Sequence, residues 1–147
     1  MPRVVEVASE GVRVPVARAR VRAAAERVLR DARVRDAQIS VTFLDDRRMA
    51  ALNRKHLGHR GATDVISFGF APAAKDGPLV GDVYISPGQA RRNAKAHGAG
   101  VREELLRLVV HGTLHVLGHD HPHGEARYAS PMWRRQERLL RPLLARE

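Results

Sequence analysis

Four residues constrain the local geometry of this chain more tightly than anything else in it: His111, His115, Gly118 and His121, within the run HGTLHVLGHDH. Residues four apart share one face of a helix, so His111 and His115 present two imidazoles to one point in space. A glycine three residues on can take the left-handed conformation that a side chain resists, which turns the chain back sharply at the helix end. His121, three residues past that turn, can then be brought beside the other two. Three neutral imidazoles with no fourth protein ligand leave a tetrahedral zinc with one open position.

The pattern H-x-x-x-H-x-x-G-x-x-H is also the ligand frame of the metzincin peptidases, turn glycine included. In that frame the residue after the first histidine is a glutamate, the general base beside the metal water. Here the position holds Gly112, and the nearest carboxylate is Asp120, which is better placed to orient the third ligand from behind than to act as a base. Peptide hydrolysis by the usual route is therefore disfavoured. Phosphodiester hydrolysis demands less of the frame: a metal and cationic side chains stabilise charge on the phosphoryl oxygens. The chain has no cysteine, which excludes a disulfide framework, thiol catalysis, iron–sulfur clusters and Cys-based zinc fingers. The metal must then be held by His, Asp or Glu. Imidazole also suits nickel, copper and iron, so zinc is the favoured metal and not a derived one.

Twenty-six Lys plus Arg against sixteen Asp plus Glu leave a formal charge of +10 over 147 residues, about one domain's worth of chain. Such a surplus concentrates polyanions near the surface. Only three of those cations are Lys, however, and an Arg-rich composition can be basic without a nucleic-acid site, so charge alone leaves both readings open. No run of about 20 apolar residues is present, and MPRVVEVASE lacks the apolar stretch of a signal peptide. The expectation is a cytoplasmic protein without membrane contact, a single domain over residues 1–147.

Strand and helix patterns alternate along the chain. RVVEV reads as a first strand, and Pro15 opens a helix through about Asp31 whose Arg18, Arg20, Arg22, Arg27 and Arg30 form a solvated basic face. Gln38–Leu44 (QISVTFL) alternates as a strand does. Asp45 or Asp46 caps the next helix, with Met49, Leu52 and His56 facing inward. A loop from Gly58 to Gly61 leads to a strand over Asp64–Phe70. The segment APAAKDGP is a loop, and Val80–Ser86 is another strand. Ser86-Pro87 opens a helix that Gly98 ends, a further helix runs from Val101 to Leu117, and Ser130-Pro131 opens the last. The fold class expected is α+β: a small mixed β-sheet covered by helices, with the three-His site at a helix end. Two histidines stand apart from the frame, His119 and His123. Each is either a proton shuttle or an exposed loop residue, the second being the default.

At this point the sequence resembles the YbeY family of bacterial endoribonucleases. HGTLHVLGHDH is close to the family's signature, and LNRKHLGHRGATDVISF (Leu52–Phe68) and GDVYIS (Gly81–Ser86) support it in the expected order; the resemblance runs from about Ile39 to Leu140. It implies one Zn²⁺ per chain on His111, His115 and His121, with a zinc-bound water as nucleophile. It also implies a single-strand-specific, metal-dependent endoribonuclease acting in maturation of the 3′ end of 16S rRNA and in ribosome quality control. Its partners would be RNA, the small ribosomal subunit and its assembly factors. Two departures stand out. His56-Leu57 replaces a frequent Tyr-Arg whose arginine is thought to contact RNA phosphate; Arg54 and Arg60 are the nearby candidates to take that part, with Arg60 as phosphate stabiliser. Ala62 replaces a frequent proline. Two other readings remain: a non-catalytic, zinc-stabilised rRNA-binding assembly factor, and a zinc peptidase.

Overall fold

Alternation makes QISVTFL a strand with two different faces. In β2 (Ala37–Leu44) Ile39, Val41 and Phe43 are buried, while Gln38, Ser40 and Thr42 between them are not. The structure, a computed structural model, describes residues 3–57, 63–70, 76–121 and 124–145. β1 (Arg3–Glu10) and β4 (Leu79–Ile85) flank β2, both parallel to it, and β3 (Val65–Phe70) pairs antiparallel with β4. The order is β1-β2-β4-β3, a mixed sheet. Parallel neighbours need a crossover, which α1 (Arg18–Asp31) supplies between β1 and β2. The first strand outruns RVVEV by three residues because its pairing with β2 continues to Glu10 opposite Leu44.

Two layers of helix follow from the two faces. On the face of Val41, Val83 and Ile85 lies α4 (Val101–Val116), packed against β3 and β4 and flanked by α1, α3 (Pro87–His97) and α5 (Pro131–Leu144). On the other face, α2 (Asp46–Leu57) closes a smaller cluster of Leu44, Met49 and Ile66, edged by Leu52, Phe68 and Tyr84. The α+β expectation holds.

Three local expectations change. α1 begins at Arg18 rather than Pro15: Val12, Val14 and Val16 pack on the core as a non-helical lead-in, and the Pro15 carbonyl accepts from Arg102 Nε at 3.0 Å. On α2, Asp45 is the cap, its Oδ1 accepting from Arg48 N–H at 2.8 Å. The inner position expected for His56 belongs to Asn53, and the exposed His56 ring instead meets Phe68 edge-on, 5.3 Å between centroids. The basic face of α1 is not merely solvated. Arg20 donates to the Leu143 carbonyl (2.7 Å), Arg22 to Val5 (3.0 Å) and Arg27 to Leu139 (2.8 Å). The guanidinium groups pin α5 and β1 to the helix, so part of the positive charge is structural. The expected Gly58–Gly61 loop with Arg60, Ala62, and Ala71–Lys75 of APAAKDGP lie outside the described residues. Among the described residues, no helix is long and apolar enough to cross a membrane.

Candidate metal centre

α4 delivers two of the three imidazoles on one face, and its end delivers the third. The helix closes with paired bonds from Gly118 N–H to the His115 carbonyl (2.9 Å) and from His119 N–H to that of Leu114 (3.1 Å). That geometry needs a left-handed residue, and Gly118 takes φ +97°. The returning chain brings His121 back so that its ring centroid lies 5.0 Å from His111 and 5.1 Å from His115, with 4.6 Å between the latter two. One ring nitrogen from each lies within 4.8 Å of the others, a group able to hold a metal ion.

Protonation is set by partners across the fold. His111 Nδ1 is 2.6 Å from Gln136 Oε1 on α5, and Gln136 is 1% exposed. The Gln136 amide is oriented because its Nε2 donates to Glu137 Oε2 at 3.0 Å. Its oxygen therefore faces His111, His111 carries its proton on Nδ1, and Nε2 is bare. Glu137 is bound in turn by Arg107 through Nε and Nη2, both at 3.0 Å, and Arg107 also reaches Glu103 and Glu104. Burial works against the Arg107 charge, but Glu137 and its neighbours more than offset it and hold the guanidinium firmly ionised.

The bare His111 Nε2 faces His115 Nε2 at 3.1 Å. The backbone of His119 favours the protonated form of His115, a smaller influence than burial. A cation held by the two Nε2 atoms would take the place of their contact. Zinc–nitrogen bonds of about 2.0–2.1 Å in a tetrahedron would put ligand atoms about 3.3 Å apart, close to what the pair already adopts. Burial pushes the His111 pKa down to about 4, with the neighbouring His115, His121 and Arg127 acting the same way against the Gln136 bond. Burial and His121 also lower His115. Both rings are held in the neutral form that a metal ligand requires. The donor set fits a metal ion.

Gly112 faces the sheet. A Cβ there would stand 2.5 Å from Val83 Cγ1 and 3.0 Å from Ser67 Oγ. The close approach of α4 to β3 and β4 excludes any side chain where a zincin carries its glutamate, so the base absent from the sequence is also sterically barred.

The other expected residues divide. The Asp120 carboxylate accepts from the backbone N–H of its neighbour His121 at 2.8 Å and bears electrostatically on His115. His119 is half-buried, and its Nε2 lies 3.2 Å from Arg135 Nη1, which itself pairs with Asp31 at 2.9 Å. That ties it more closely than an exposed loop residue. Arg60 and His123 lie outside the described residues. Arg54 is exposed on α2, across the sheet from α4. Sequence reasoning missed Gln136. Its signal was a lone amide among Met132, Leu139, Leu140 and Leu143 on the buried face of α5.

Comparison with known proteins gives these residues a context. A family model described as endoribonuclease YbeY matches residues 6–144. A protein of that name from Thermus thermophilus is 42% identical over 107 residues, 69% of this chain and 75% of that protein. Another, from Anaeromyxobacter sp. (strain Fw109-5), is 48% identical over 86 residues, 58% of this chain and 45% of that protein, so this chain spans under half of that relative's length. The solution structure of TM1509 from Thermotoga maritima superposes with a TM-score of 0.64 at 21% identity, covering 97% of this chain and 91% of that one, a likeness of fold. The matched stretch takes in the sheet, the histidine frame on α4 and its support on α5, and the chain belongs to the endoribonuclease YbeY family.

Proposed function

We propose that this protein is a zinc-dependent endoribonuclease specific for single strands, with the 3′ end of the 16S rRNA precursor as substrate and a part in ribosome quality control. The observation that carries the chemistry is the convergence of one ring nitrogen each from His111, His115 and His121 within 4.8 Å of one another, with Gly112 where a zincin carries its glutamate. His111, His115 and His121 would hold one ion per chain. When bound, such an ion polarises a phosphoryl oxygen and makes water a stronger nucleophile at neutral pH.

The chain's own residues do the rest. Gln136 fixes the His111 tautomer, and Gly118 sets the return of His121. Asp120 steadies that return through the His121 backbone. Burial disfavours the charged forms of His111 and His115 and so keeps both rings neutral. Arg60 is proposed as a phosphate stabiliser, and the remaining positive surface draws in the RNA. The expected setting is the cytoplasm, beside the small ribosomal subunit and its assembly factors, with residues 1–147 acting as one domain.

Metal analysis of the purified protein, paired with cleavage of an rRNA precursor by wild type and His115→Ala purified in parallel, tests this reading. Cleavage by wild type that is lost with the metal in His115→Ala supports it; full cleavage by the metal-free variant overturns it. The assembly-factor reading predicts instead that both proteins bind the precursor and neither cuts it. A peptide panel run beside the RNA addresses the peptidase, which the packing at Gly112 disfavours.

A further inference from the structure

The chain is poor in aromatics, with one Trp, two Tyr and three Phe, and only Phe70 and Tyr128 stand out as large exposed apolar side chains among the described residues. Tyr128 is 41% exposed. It belongs to the 3-10 segment Gly124–Ala129, which begins three residues after His121. The Tyr128 ring is buttressed edge-to-face by Trp133, 4.7 Å between centroids at 84°. The Arg127 guanidinium lies 5.0 Å over the same ring, and its Nη2 donates to the Tyr128 hydroxyl at 3.0 Å.

This cluster is fastened rather than loose. Ser130 caps α5 by accepting from Trp133 N–H, and its own N–H and Oγ both donate to the Arg127 carbonyl, at 3.1 and 2.6 Å. Arg134 reaches back to the Ala129 carbonyl at 2.9 Å. It is also close to the histidine cluster. Trp133 precedes Gln136 by three residues on α5, about 4.5 Å of helix rise, and Gln136 touches His111. The Arg127 charge is near enough to depress the basicity of His111.

We propose that Tyr128, backed by Trp133 and flanked by Arg127, is a stacking platform for one base of single-stranded RNA next to the phosphate at the histidine cluster. The inference rests on the ribonuclease reading and deepens it, naming cationic and aromatic contacts that Leu57 does not supply. A base on the ring displaces the guanidinium, which then meets the phosphate of the same nucleotide. Every base has a π face, so the platform tolerates sequence and requires an unpaired strand.

The lone tryptophan makes the platform directly observable. His115→Ala protein, which is expected not to cut, is titrated with a short oligoadenylate and with an abasic ribose-phosphate strand of equal length while Trp133 fluorescence is followed. Saturable quenching by the base-bearing strand, absent with the abasic one, is the expected result. Adding Tyr128→Ala or Tyr128→Leu weakens oligoadenylate binding roughly ten-fold, within the range for one stacked base, and leaves abasic binding unchanged; Tyr128→Phe binds as the parent does. The leucine keeps apolar contact with Trp133, so a loss common to both variants does not reflect misfolding. Arg127→Gln lowers the slope of log affinity against log salt by about 0.7. Equal binding by the Leu and Phe variants, or equal quenching by the abasic strand, overturns the platform. Metal-loaded wild type and Tyr128→Leu are assayed for cleavage of the same strand: cleavage with unchanged KM overturns the platform and leaves the ribonuclease standing. No cleavage by wild type, with base-dependent quenching intact, overturns the ribonuclease and supports the platform.

Discussion

Gln136→Leu tests the link between α5 and the histidine cluster. In the wild type one amide does two things: its oxygen accepts from His111 Nδ1–H at 2.6 Å, and its nitrogen donates to Glu137 at 3.0 Å. Leucine fills nearly the same volume at a site that is 1% exposed and makes neither bond. A buried N–H left without a partner costs roughly 1–3 kcal/mol. The His111 ring is then free to rotate or to move its proton to Nε2, the nitrogen needed for the metal. Loss of such a supporting partner typically lowers metal affinity about 10–100-fold, a free-energy change of the same order as the lost bond.

The assay is competition for Zn²⁺ against a chromogenic chelator at about pH 7.5, with urea unfolding of the metal-free protein in parallel. Gln136→Glu separates acceptor from packing. It retains an oxygen for His111 but places a second carboxylate beside Glu137, so zinc affinity should fall less than in Gln136→Leu while metal-free stability still drops. Zinc binding by Gln136→Leu within two-fold of wild type would refute the role given to this amide.

Three further outcomes follow from the geometry. His111 has a folded pKa of about 4 against an ordinary 6.5, so the unfolded chain binds the proton more readily between those values. Metal-free stability should be fully present above pH 6.5 and fall, by at most roughly 3 kcal/mol from this ring, as pH drops toward 4; a flat urea midpoint across that window contradicts the assignment. Gly112→Ala pushes a methyl into Val83 and Ser67, and thermal unfolding should report a loss of about 1–3 kcal/mol; an unchanged Tm would mean that α4 can lift off β3 and β4 freely. Gly118→Ala forces a side chain into φ +97° at a cost of about 1 kcal/mol or more. Because the strain falls on the turn that returns His121, zinc affinity should weaken along with stability, and a loss of stability alone would detach that turn from the site.

The sequence by itself determined whatever rests on near neighbours along the chain. The spacing of His111, His115, Gly118 and His121 defined the helix face, its end and the three-imidazole cluster, because helical periodicity and a left-handed turn are local properties. Alternation in β2 and the Ser-Pro openings of α3 and α5 were legible for the same reason. Tertiary structure alone decided the partners. That β3 pairs antiparallel at the sheet edge, that Gln136 reaches His111 across 25 positions, and that arginines of α1 bond carbonyls of α5 over more than 100 are choices made when faces pack. No single stretch of sequence encodes a contact whose two halves are each satisfied equally well by water until burial removes it. Gly112 shows both levels: its lack of a carboxylate was readable in the sequence, but the sheet packed 2.5 Å from its missing Cβ is what prevents one.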